Sequence, residues 1–171
     1  ADNYSNANMI GYNGTFGGFG ISLGWAKDTG GSDSSWVLTY DGLADGLDIG
    51  FGMGEDGVTS DDHTIWAKYT TGAITAAYQR SEVDFTASGT ATQKSDHVGI
   101  SFAVNDNLSL SIGRQQVDMG AGLVDEESTG VAASYTMGSL TLAGHANKTD
   151  DVAGAAGTND SVKEVSVAFA F

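Results

Sequence analysis

The sequence predicts an all-β fold, an antiparallel transmembrane β-barrel to which this chain supplies about eleven strands. Three observations predict it. Apolar and polar residues alternate with a period of two along many stretches, most of them roughly nine to eleven residues long, the length at which a tilted strand crosses a bilayer. The connections between these stretches alternate between short turns and long polar loops. The final stretch, residues 160–171, reads D-S-V-K-E-V-S-V-A-F-A-F, with Val165, Val167, Phe169 and Phe171 on one face and Glu164, Ser166, Ala168 and Ala170 on the other.

Taken in order, residues 5–13 alternate weakly and residues 14–18 read as a turn. Phe19, Ile21, Leu23 and Trp25 then alternate with glycine, serine and alanine. After a polar loop at 28–33, Trp36, Leu38 and Tyr40 share a face of a strand over 35–40, and residues 41–46 turn it back. Leu47, Ile49, Phe51 and Met53 follow, and a loop is expected at 55–62. Residues 63–70 pair through a tight turn with 73–84, and a long loop runs to residue 95. Val98, Ile100, Phe102 and Val104 lead to the turn Asn105-Asp106-Asn107, and Leu108, Leu110 and Ile112 return from it. Beyond a loop at 119–127, Val131, Ala133, Tyr135 and Met137 reach the turn Gly138-Ser139, and residues 140–147 lead through another loop to the terminal strand.

Composition agrees with one domain over residues 1–171 and narrows its class. There is no proline, no cysteine and a net formal charge of −15, while glycine is plentiful at 25 residues, which suits tight turns and close strands. No run of about 18 apolar residues occurs, so no helix is expected to cross a membrane. The acidic balance argues against nucleic acid, because phosphate backbones need clustered cations and the seven Lys and Arg are scattered. The start, Ala1-Asp2-Asn3-Tyr4, reads as internal or processed.

Residues 160–171 resemble the C-terminal signature of Gram-negative outer-membrane β-barrels, in which a final Phe and alternating apolar residues are read by the barrel-assembly machinery. Residues 8–19, N-M-I-G-Y-N-G-T-F-G-G-F, resemble the segment that general bacterial porins place after the constriction loop. The whole chain is similar to the C-terminal part of a Rhodobacter-type, sixteen-strand trimeric porin. That resemblance implies a water-filled channel for small hydrophilic solutes and ions, with no covalent step and no required cofactor. It also implies a homotrimer in the bacterial outer membrane, in contact with lipid and lipopolysaccharide. On this reading the strands are the sixth to the sixteenth. Two alternatives stay open: a complete ten-strand outer-membrane barrel, an adhesin or enzyme with residues 1–18 as a periplasmic tail, and a soluble β-sandwich binding domain.

Parity assigns Lys68, Gln79, Gln115, His145 and Glu164 to the lumen as pore-lining residues. Trp25, Trp36, Tyr40, Tyr69, Tyr78, Tyr135 and Phe171 fall near strand ends and are expected to form aromatic girdles. Val165, Val167, Phe169 and Phe171 make up the expected assembly signal. Acids crowd the long loops, and the pairs Asp61-Asp62 and Glu126-Glu127 are candidate Ca²⁺ or Mg²⁺ ligands, since hard cations take oxygen. Parity also places Arg80, Arg114 and Lys148 on the apolar face, leaving open whether they snorkel outward or a bulge turns them in. Residues 52–57 match G-x-G-x-x-G, but no helix follows and Glu55 and Asp56 would repel a pyrophosphate. The histidines at 63, 97 and 145 lack metal-type spacing, and no local motif marks a nucleophile.

Overall fold

The computed structural model describes residues 8–27, 31–57 and 59–170. Eleven strands run through them: β1 (Asn8–Phe16), β2 (Phe19–Lys27), β3 (Ser32–Ala44), β4 (Leu47–Asp56), β5 (Ser60–Thr71), β6 (Ile74–Phe85), β7 (Gln93–Ala103), β8 (Leu108–Asp118), β9 (Glu126–Met137), β10 (Leu140–Asp150) and β11 (Asp160–Phe169). They form one sheet in which spatial order equals chain order and every neighbour is antiparallel. A short 3₁₀ segment, Val152–Gly154, interrupts the loop before β11.

The turns have local causes. Gly17 and Gly18 both adopt positive φ, 56° and 83°, as a two-residue hairpin loop between right-twisted strands demands. At the β7–β8 turn the Asn105 carboxamide oxygen accepts from the backbone N–H groups of Asn107 and Leu108, both at 2.9 Å.

Several strands run further than the alternation alone indicates. β1 continues to Phe16, so residues 14–16 are strand and not turn. β3 reaches Ala44 because a register shift between Tyr40 and Ala44 accommodates residues 41–44. The expected loop at 55–62 shrinks to a few residues, because β4 runs to Asp56 and β5 begins at Ser60. Acidic residues at the long-loop ends belong to the ladder; their polarity reads as loop only because these ends project past the apolar part of the sheet.

Register fixes the faces. Directly opposed residues share a face, so the β11 row of Val165, Val167 and Phe169 carries to Gly144, Leu142 and Leu140 on β10 and to Ala133, Tyr135 and Met137 on β9. Continued through every ladder, the same face holds Leu110 and Ile112, Ile100 and Phe102, Ile74 and Tyr78, Ile65 and Tyr69, Ile49 and Phe51, Trp36 and Leu38, Ile21 and Leu23, and Ile10 and Tyr12. This face is uncovered: Ile10 is 69% and Val165 75% exposed, and Ala26 is the one buried apolar side chain among the described residues. Hollows in the sheet are lined mostly by residues of the other face, so the sheet curls with its polar face inward.

This architecture removes two alternatives. A β-sandwich requires a second sheet over the apolar face, and the described strands form one sheet. A ten-strand barrel with residues 1–18 as a tail is contradicted by β1, which pairs with β2 from Asn8↔Lys27 to Phe16↔Phe19.

Gly46 has φ of 76°, and a Cβ there would overlap the Thr70 carbonyl oxygen. Gly46→Ala should lower stability by about 2 kcal/mol or more in urea unfolding of the lipid-reconstituted protein. Gly72→Ala, with φ of 54° and open space around it, should lose less. With no native cysteine to interfere, the faces themselves can be read by labelling. A membrane-impermeant maleimide should modify Gln115→Cys and His97→Cys in vesicles, while Ile100→Cys and Ile112→Cys stay protected; equal labelling would contradict the assigned faces.

Candidate functional site

The concave face is built from every second residue of each strand. One continuous row of opposed residues crosses it: Gly50, Trp66, Gln79, His97, Gln115, Ser128 and Thr149, each paired with the next across β4 to β10. Beside it runs a row of small residues, Ala77, Gly99, Gly113 and Gly130, which deepens the wall. Together they border a hollow of about 840 Å³.

All five predicted lining residues lie on this face. Lys68 is opposite Asp48 and ion-paired to it at 2.7 Å. Gln79 donates to Ser81 Oγ at 3.1 Å and, with Gln115, borders the large hollow. His145 is opposite Glu164, two rows nearer the short-turn end. Trp66 was not among the predicted lining residues. Its signal was available: Ile65 and Ala67 flank it on the apolar parity, which puts the indole on the Lys68 side.

On the convex face stand Trp25, Trp36, Tyr40, Tyr69, Tyr78 and Tyr135, the aromatics expected in girdles; Trp36 and Tyr78 sit mid-strand, and Phe171 lies outside the described residues. Tyr40, Tyr69 and Tyr135 are near the short turns, and Tyr40 stacks on Phe19 with centroids 4.2 Å apart. Val165, Val167 and Phe169 line the exposed outer side of β11.

The three cations of uncertain facing are on the convex face, each beside a carboxylate. Arg114 Nη2 is 2.6 Å from Glu127 Oε2, Lys148 Nζ is 2.7 Å from Asp150, and Arg80 Nη1 is 3.7 Å from Asp96, which also accepts from Tyr78 Oη. All lie toward the long-loop ends, where an outward charge costs far less than at the bilayer midplane. Lys27, Lys94 and Lys163 share this face, so six of the seven Lys and Arg point outward. Inward stand Asp33, Asp48, Asp56, Asp62, Glu126, Asp160 and Glu164 against the single Lys68.

The candidate metal pairs are split by the same alternation. Asp61 faces outward and Asp62 inward. Glu127 faces outward to Arg114, and Glu126 accepts from the Ala153 N–H at 2.7 Å. Among the described residues no group of three or more His, Asp or Glu converges as metal ligands would.

No protein-family model and no curated protein sequence matches the chain. Solved structures do. An anion-selective porin from Comamonas acidovorans superposes with a TM-score of 0.77 at 18% identity, covering 96% of this chain and 59% of that one. A mutant of Rh. blastica porin gives 0.74 at 17% identity, covering 98% of this chain and 56% of that one. The NanC porin gives 0.59 at 10% identity and covers 95% of this chain and 92% of that one. The chain thus spans less than two thirds of the first two porins, and its strands have the fold of the corresponding part of a porin barrel.

Proposed function

We propose that the chain forms most of the wall of a water-filled channel in the bacterial outer membrane, through which small hydrophilic solutes and ions diffuse passively. The observation that carries this reading is the sorting of faces through all eleven strands: the apolar rows lie outward, with the outward cations toward the long-loop ends, and the inward face is mostly small or polar. An outward apolar band suits lipid, and an inward lining of Ser, Thr, Gln, Gly and carboxylates suits water. Conduction then needs no covalent step; geometry and wall charge filter what passes. On this reading the assembly is a homotrimer embedded in lipid and lipopolysaccharide, and the outward β11 row belongs to the segment that the assembly machinery reads.

The charge sorting adds a preference. Lys68 is neutralised by Asp48, and the remaining inward charges on the strands are carboxylates, so the wall concentrates cations and repels anions.

In planar bilayers the purified protein should give ohmic conductance steps, and a KCl gradient should produce a reversal potential of the sign that favours K⁺. Lys68→Gln should raise the cation preference, and Glu126→Gln with Glu164→Gln should lower it. A silent bilayer from folded protein would overturn the channel; a reversal potential favouring chloride would overturn the wall-charge argument alone.

A further inference from the structure

Trp66 is the one tryptophan of the three that stands on the concave face; Trp25 and Trp36 face outward. A tryptophan in a water-facing wall gains nothing from lipid, and its position is specific. A Cβ on Gly50 would collide with Cε2, Nε1 and Cζ2 of the indole, and the ring-fusion atom Cε2 would be as near as Nε1 and nearer than Cζ2. Gly50 therefore lies beneath the face of the ring and not against its edge. The absence of a side chain at Gly50 lets the indole lie along the wall, and Trp66 remains half-exposed and borders the large hollow.

What surrounds this platform is polar and close to neutral. Gln79, His97 and Gln115 follow in the same row, one per strand, at the inter-strand spacing of about 4.8 Å. Each amide presents both a donor and an acceptor, and neutral imidazole does the same. Among the described residues the side chains of His97 and Gln115 have no hydrogen-bond partner. Beside the ring, Lys68 is held by Asp48, so no free charge selects an ionic ligand there.

We infer that this row is a binding track for a neutral saccharide: one pyranose lies with its C–H face on Trp66, and the hydroxyls of that unit and the next bond to Gln79, His97 and Gln115. A sugar oligomer matches the track because it combines an apolar ring face with a rim of hydroxyls that donate and accept, repeating at about the spacing of the strands. The inference deepens the proposed channel, giving it a substrate class, and rests on that reading for its physiological sense but not for binding itself.

Maltotriose, a neutral glucose trimer, is the probe. In a Trp25→Phe, Trp36→Phe background, Trp66 fluorescence of the detergent-solubilised protein should change saturably with maltotriose, and polyethylene glycol of similar mass should give no saturable change. In bilayers, maltotriose should interrupt the current of the parent protein. Trp66→Ala should weaken the block by about tenfold or more. Gln79→Ala and Gln115→Ala, which leave the indole in place, should each weaken fluorescence-detected binding severalfold. Non-saturating fluorescence alongside normal conductance would overturn the saccharide track and leave the channel standing. Saturable binding with a silent bilayer would do the reverse.

Discussion

Every backbone amide and carbonyl must find a partner, a constraint that is strictest inside a bilayer where no water can satisfy them, and it governs everything else in this sheet. Each interior strand meets it by pairing on both sides over nearly its whole length. Side-chain packing contributes little to cohesion, since almost nothing in the described residues is buried. Burial of the outward apolar face is left to whatever surrounds the sheet, which for the proposed channel is lipid. Among the described residues β1 and β11 each pair on one side only. In a membrane such edges need partners, and the longer porin chains on which this one superposes extend beyond the matched part.

Once pairing is obligatory, alternation does the rest of the work. A strand in this sheet has two environments and a residue can occupy only one, so charge is partitioned by parity. All the cations but Lys68 went outward, and Arg80, Arg114 and Lys148 meet carboxylates there on neighbouring strands or on the same strand. The concave wall was left with carboxylates, amides, hydroxyls and glycines. An exposed ion pair of this kind contributes no more than about 1 kcal/mol in water. Its greater effect here is to make an outward charge tolerable near lipid.

Much of this was legible in the chain because a period of two survives without knowledge of partners. The facing of Lys68, Gln79, Gln115, His145 and Glu164 follows from counting, and so does that of the outward aromatics. Strand ends were less legible. Asp33, Glu55, Asp61 and Glu126 resemble loop residues in isolation, and only cross-strand pairing shows that they belong to the ladder. The partners of Arg80 and Arg114 lie on adjacent strands, so no local window contains them. Neighbouring residues that look like a chelating pair, such as Asp61 and Asp62, are separated by the same alternation that sorts the wall. Trp66 was obscured by type: an aromatic residue in a membrane strand invites an outward assignment that its parity contradicts.

The register runs without a shift from β4 to β11, and the one irregularity sits in β3. This bears on how such a chain can change over generations. An inserted residue within any of those strands would turn the remainder of that strand inside out, delivering leucines to water and amides to lipid. The same insertion in residues 86–92, 119–125 or 151–159 would leave both flanking strands in phase. Length can therefore drift freely at one rim of the sheet while the wall is held residue for residue, and new loop surface can be acquired without disturbing the strands beneath it.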